Sequence, residues 1–124
     1  MDEQLQDKIE QLMPLGKTIC TALDGEVHKL GFAAQQEIGI DFGAACFSLK
    51  RDPFSGENSL EGIWQDAKGQ RTGTILIHSD GSFFAEYDVL RQHPKDARWF
   101  VEAVTAWGRD NIIKSEPRLL AALT

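Results

Sequence analysis

Apolar positions in the first thirty residues recur at helical spacing. Four of them share one side of a helix: Leu5, Ile9, Leu12 and Met13. Pro14 and Gly16 interrupt this stripe, because proline inside a helix removes a hydrogen bond and clashes with the preceding turn. The pattern therefore predicts either one kinked helix or two short helices before residue 30.

From Phe32 onward the apolar positions alternate with polar ones, which is typical of strands. We expect strands in the alternating segment 32–42, and then at 45–49, 60–65, 72–77 and 83–89. Asp80-Gly81 separates the last two segments, and this pair favours a tight hairpin because such turns need positive φ angles. On the strand after the turn, Phe84, Glu86 and Asp88 should share one partly wet face.

The C-terminal third again shows helical spacing. Five apolar residues recur at that period after His93-Pro94: Ala97, Phe100, Val101, Val104 and Trp107. Ser115 could cap a last short helix. The predicted fold is α+β, with an N-terminal helix, a four- to five-stranded and mainly antiparallel meander, and C-terminal helices packed on one face. We expect residues 1–124 to form a single α+β domain.

Composition narrows the classes of function. Of the 124 residues 42% are hydrophobic, yet no apolar stretch is long enough for a membrane helix, and the acidic start lacks the features of a secretory signal. We therefore expect a cytoplasmic protein with no membrane partner. The net charge is −6, and the six bases of residues 89–124 are dispersed, which argues against nucleic acid as a partner. Cys20 and Cys46 lack CxxC spacing, and we expect two buried free thiols.

No spacing of chemically active residues predicts catalysis. The three histidines stand far apart, no glycine pattern matches a phosphate loop, and His78-Ser79-Asp80 is best explained as part of a turn. We therefore predict no catalytic residue, no metal and no cofactor. Glu86 and Asp88 lie about 7 Å apart on one strand face, a separation open to acid–base chemistry, but a solvated strand face explains them better.

Two groups of residues are candidates for partner binding. Trp99 with Arg98 is the first, because Trp and Arg are enriched at the centres of protein interfaces. Glu86 with Asp88 is the second, because an acidic face steers a basic partner towards it.

The segment from Leu76 to Asp88 resembles one known family. Its sequence, LIHSDGSFFAEYD, is similar to the strand pair of small YezG-like bacterial immunity proteins, in which Ser-Asp-Gly-Lys-Phe is followed by Tyr-Asp. Ser82 stands where that family has lysine, and no site residue is carried over. The resemblance implies an acidic, cytoplasmic, non-enzymatic protein that plugs the active site of a toxin.

Two hypotheses of function follow. The first is a non-enzymatic protein-binding module of the bacterial cytoplasm, of immunity, chaperone or adaptor type. Its partner would be another protein, and a basic one. The second is a small-ligand-binding protein or an enzyme, with a pocket between sheet and helices formed by His78, Tyr87 and Trp64, to which Glu86 could contribute. A homodimer joined along a sheet edge is compatible with either.

Overall fold

The computed structural model describes residues 3–33 and 38–122. One long helix is followed by a 3₁₀ turn at Phe42–Ala44 and then by six strands. The elements are α1 (Glu3–Leu30), β1 (Cys46–Arg51), β2 (Asn58–Gln65), β3 (Arg71–Ile77), β4 (Ser82–Gln92), β5 (Trp99–Arg109) and β6 (Ile112–Ala121). The predicted α+β class and N-terminal helix are confirmed.

α1 is continuous, with Pro14 inside it. Of the two alternatives predicted for this segment, a single helix is therefore confirmed and two short helices are wrong. The Thr18 hydroxyl donates a hydrogen bond to the carbonyl oxygen of Pro14 at 2.9 Å. The buried side of the helix includes Ile19, Leu23 and Val27, which lie at i, i+4 and i+8.

The six strands form one antiparallel meander in the order β1-β2-β3-β4-β5-β6. This is one strand more than the upper limit of the prediction. β1 and β6 are the two edges of the sheet, and Pro117 lies within β6. Proline on an edge strand discourages pairing with another sheet, so β1 is the edge more open to a second chain.

The predicted Asp80-Gly81 hairpin is confirmed. Gly81 has a φ of +89°, a value that favours glycine. The Asp80 carboxylate accepts hydrogen bonds from the backbone N–H and the hydroxyl of Ser82, at 2.9 and 2.6 Å. These bonds fix the turn between β3 and β4 and set the register Ile77↔Phe83.

The predicted C-terminal helices are wrong, because both segments are strands. β5 lies between β4 and β6, and Val101, Ala103, Val104 and Ala106 are each 0% exposed. A strand buried on both faces gives a continuous apolar run, which periodicity alone cannot distinguish from a buried helix. A bulge between Val101 and Ala103 also shifts the alternation by one residue and imitates helical spacing.

The strand predicted at 32–42 is also absent from the described part of that segment. Ala34, Gln35 and Glu37, on which the alternation partly rested, lie outside the described residues. Phe32, Ile40 and Phe42 are buried without belonging to the sheet. Phe42 lies against α1, and its ring meets that of Phe47 on β1 with centroids 4.8 Å apart.

α1 contacts β1, β2, β4, β5 and β6, so it covers one face of the sheet. We call this face the helix side. The buried core lies there and includes Ile19, Leu23, Leu60, Ile75, Ile77, Phe83, Ala85, Val104 and Ala106. The opposite face of the sheet is called the outer face below. Among the described residues, no helix is long and apolar enough to cross a membrane.

Candidate functional site

The outer face presents the alternate residues of every strand. On β4 these are Phe84, Glu86 and Asp88, since Phe83, Ala85 and Val89 are in the core. The predicted sharing of one face by Phe84 and the two acids is therefore confirmed. A sheet that is covered on one face alternates between apolar and polar residues, and β4 follows this rule except at Phe84.

Phe84 belongs to a row of apolar side chains that crosses the centre of the outer face. The register aligns Leu76 on β3 with Phe84 on β4, and Phe84 with Trp107 on β5. Phe84 is 42% exposed, and Trp107 is half-buried. Cross-strand neighbours of this kind pack against each other and leave a continuous apolar strip. Glu61 and Lys114 lie opposite the two ends of the row.

Beside this row lie three carboxylates and one guanidinium. We call Glu86, Asp88 and Glu102 the acidic patch. Arg118 of β6 donates hydrogen bonds from Nη1 to Glu86 Oε1 at 2.6 Å and to Glu102 Oε1 at 3.0 Å. The bulge in β5 places Glu102 within reach of Arg118, because it inserts an extra residue opposite β6. Arg71 also acts on Asp88, so two cations face three carboxylates and the patch keeps a negative charge.

Asp88 shows the electrostatic consequence. Burial raises the pKa of Asp88 above its usual range, and the neighbouring Glu86 and Glu102 raise it further, while Arg71 and Arg118 oppose this. Ionised Asp88 is therefore less stable here than in water. An additional cation at the acidic patch would favour the ionised form. Nearby, the buried hydroxyl of Thr72 finds no hydrogen-bond partner among the described residues.

Arg98 and Trp99 do not join this surface. Asp96 accepts two hydrogen bonds from the Arg98 guanidinium, at 3.0 and 2.8 Å, which lowers the pKa of Asp96 to about 2. Trp99 begins β5 and is 39% exposed. It lies two residues before the core residue Val101, so strand alternation places it on the helix side and not on the outer face. The prediction that Trp99 lies on a helix is wrong, and the two candidate groups lie on different parts of the molecule.

The three residues of the predicted pocket are also separated. Trp64 and Tyr87 lie on the helix side, with ring centroids 5.4 Å apart, and the Trp64 indole donates to the carbonyl oxygen of Asp41 at 2.8 Å. Trp64 is 3% exposed and belongs to the core. His78 lies at the end of β3, where its Nδ1 is 2.9 Å from the hydroxyl oxygen of Ser59. Ser59 alternates with the core residue Leu60, so this pair lies at the outer face.

The two cysteines differ. Cys20 is buried, and burial raises the pKa of its thiol to about 12, so it stays protonated and unreactive. Cys46 is exposed, which contradicts the expected burial of both thiols. Within residues 3–33 and 38–122, no three His, Cys, Asp or Glu side chains are arranged to hold a metal ion.

Trp107 and Arg118 are members of the outer face that the sequence does not predict, because the patterns in both segments favour helices. The register of β5 and β6 depends on a bulge for which the sequence carries no local signal. No family model, curated protein or solved structure matches the chain. The function is therefore argued from the geometry of this face.

Proposed function

We propose that this chain is a non-enzymatic protein-binding module of the bacterial cytoplasm that binds a basic partner protein through its outer face. One observation carries the proposal: the face of the sheet opposite α1 has an apolar row, Leu76, Phe84 and Trp107, directly beside the acidic patch. Such a module would be of immunity, chaperone or adaptor type, and the resemblance of the β3–β4 hairpin favours the immunity type.

The apolar row supports the proposal because protein interfaces concentrate their binding energy in a few aromatic residues. Phe84 is exposed, and Trp107 beside it is half-buried. A partner that covers them would remove apolar area from water at the centre of the interface. Polar side chains surround the row, as in the rim of a typical interface.

The acidic patch supports a basic partner. The chain has a net charge of −6, and Arg118 neutralises the patch only in part. Negative charge of this kind accelerates the approach of a cationic protein and repels a second copy of the same face. The raised pKa of Asp88 also supports a basic partner, because a lysine or arginine from the partner would stabilise the Asp88 carboxylate.

A matched pair of charge variants tests the proposal. The patch variant carries Glu86→Gln, Asp88→Asn and Glu102→Gln. The control variant carries Glu3→Gln, Asp7→Asn and Glu10→Gln on the exposed part of α1, and it changes the net charge equally. Proteins are captured from bacterial lysate by each tagged form. The captured protein is then purified, and its association rate is measured at low and high salt.

The expected result is a basic protein held by the wild type and by the α1 control. Its association with the patch variant should be about tenfold slower at low salt and nearly independent of salt. Phe84→Ala should raise the dissociation rate by at least about fivefold, whereas Ile112→Ala, at an exposed position of β6, should not. Equal binding by the patch variant and the control, or capture of an acidic protein, contradicts the proposal.

A further inference from the structure

A small cavity lies at one end of the outer face, apart from the acidic patch. It has a volume of about 250 Å³ and is lined by the end of β1, the loop that follows it, and the neighbouring residues Ser59, Leu76 and His78. Pockets for drug-sized ligands measure roughly 300–1,000 Å³, so this cavity suits a smaller molecule. Pro53, Phe54 and Leu76 give it apolar walls.

The loop between β1 and β2 presents an aromatic ring at the mouth of this cavity. Phe54 is 99% exposed, although the loop itself is held by hydrogen bonds. The Asp52 carboxylate accepts from the backbone N–H of Phe54 at 2.8 Å, and Gly56 N–H donates to the carbonyl oxygen of Asp52 at 2.8 Å. A fully exposed phenylalanine on a hydrogen-bonded loop gains apolar contact when a molecule occupies the cavity beside it.

Two polar residues that line the cavity, Ser59 and His78, have one hydrogen-bond donor that their mutual bond does not use. Ser59 is only 3% exposed, and its hydroxyl is paired with His78 Nδ1 at 2.9 Å. A serine hydroxyl and a neutral imidazole hold two donor hydrogens between them, and their mutual bond uses one. Either tautomer of His78 therefore leaves one donor for another acceptor. Pockets with apolar walls typically take their specificity from a few such groups.

The charges at the rim favour an acceptor that is an anion. Lys50 and Arg51 line the cavity together with one acid, Asp52. The Asp52 carboxylate is turned to the loop, where Phe54 and Ser55 N–H groups donate to it at 2.8 and 3.4 Å. Lys50 lies 3.6 Å from Glu61. That ion pair occupies Lys50, whereas Arg51 has no salt bridge among the described residues, so Arg51 is the cation that the rim offers to an anion.

We propose that this cavity binds a small carboxylic acid with an apolar body, of about ten non-hydrogen atoms in all. The apolar body lies between Phe54 and Leu76. The carboxylate accepts the spare hydrogen of the Ser59–His78 pair and faces the guanidinium of Arg51. The cavity shares Leu76 with the apolar row but includes neither Phe84, Trp107 nor the acidic patch, so either proposal can fail without the other.

Two probe acids, 3-phenylpropionate and hexanoate, test the proposal, with 3-phenylpropan-1-ol as the neutral match of the first. Each is titrated into the ¹⁵N-labelled full chain up to about 10 mM while amide chemical shifts are followed. We expect saturable shifts confined to residues 50–54, 59 and 76–78. The dissociation constant for 3-phenylpropionate should be about 1 mM or lower, and that of the alcohol at least about tenfold higher.

Two pairs of variants separate the charge from the apolar contact. Arg51→Gln should weaken binding of 3-phenylpropionate about fivefold, and Lys68→Gln, which removes the same charge at an exposed turn, should not. Phe54→Ala should weaken binding of both the acid and the alcohol, whereas Ile112→Ala should change neither. No saturation with either acid, equal affinity for acid and alcohol, or shifts centred on other residues would overturn the proposal.

Discussion

On the helix side of the sheet, β4 contributes Phe83 and Ala85, which are 4% and 0% exposed. One residue further along, the same strand contributes Phe84 and Glu86 to the outer face, where Phe84 is 42% exposed. The helix side is covered by α1 and sealed by close packing. The outer face has no element over it in the described structure. Strand alternation thus places a packed surface and an uncovered surface on alternate residues of one strand.

The two faces of the sheet also differ in how their carboxylates are paired. On the helix side the buried carboxylate of Glu26 is satisfied locally, because Lys29 Nζ and the Ser115 hydroxyl both donate to its Oε2, at 3.1 and 3.3 Å. On the outer face Glu86 and Glu102 share Arg118, and the Asp88 carboxylate lies near them without a hydrogen bond to it. A buried carboxylate that lacked partners would destabilise the fold, whereas a partly exposed cluster tolerates uncompensated charge. Residual charge on the outer face is therefore available to attract a partner.

The largest expected effect comes from truncating the same residue type on the two sides. Phe83→Ala should lower the free energy of unfolding by about 3–5 kcal/mol, because it leaves a cavity in the core. Phe84→Ala should lower it by about 1 kcal/mol or less, since this ring is already partly in water. Urea denaturation of the two variants measures the difference. Similar losses of stability would mean that the outer face is covered in solution, for instance by a second copy.

The sequence predicted the helix side better than the outer face. Alternation in 83–89 assigns Phe83, Ala85 and Val89 correctly, and Asp80-Gly81 marks the hairpin because positive φ restricts the choice of residue there. Local chemistry of this kind is visible in a short window. The described structure has a strand for each of the four segments predicted between 45 and 89, although β1 begins at Cys46 and not at residue 45.

The remainder of the outer face could not be predicted, because it depends on β5 and β6. Ala103 and Thr105 are buried even on the outer face, between the larger side chains of β4 and β6. β5 consequently lacks the polar alternation that identifies a half-exposed strand. The apolar spacing of β5 therefore favours a helix at Trp107, and the capping residue Ser115 favours one at Arg118. Pairing between distant segments, and the bulge at Glu102, decide their positions.

A smaller effect is expected from two glycines of α1 that face different surroundings. A methyl group at Gly16 would overlap the ring of Phe42, whereas one at Gly25 would have no neighbour within 4 Å. Gly16→Ala should destabilise the fold by about 1–3 kcal/mol through overpacking, less the gain in helix propensity. Gly25→Ala should stabilise it by about 0.5–1 kcal/mol, since only the propensity changes. Thermal unfolding measures both, and stabilisation by Gly16→Ala would contradict the close approach of Phe42 to α1.

The smallest expected effect concerns two aspartates of the β3–β4 hairpin, Asp80 and Asp88. Their contributions to the free energy of unfolding should change with pH in opposite directions. Burial and the neighbouring Glu86 raise the pKa of Asp88, whereas hydrogen bonds from Ser82 lower the pKa of Asp80. A raised pKa means that folding is favoured while Asp88 is protonated, and that this stability is lost as the pH rises through the folded-state pKa. A lowered pKa means that Asp80 stabilises the fold above its unfolded pKa, and that this is lost as the pH falls.

Asp88→Asn and Asp80→Asn should therefore act in opposite directions at neutral pH. Asp88→Asn should stabilise the chain by about 0.5 kcal/mol or less at pH 7, with no gain near pH 3, where the native carboxyl is protonated. Asp80→Asn should destabilise it at pH 7, and the loss should shrink towards pH 3. Urea midpoints between about pH 3 and pH 7 measure both trends. If Asp88→Asn is neutral at every pH, the acidic patch carries no strain from uncompensated charge, and the attraction of a basic partner to the outer face loses its electrostatic basis.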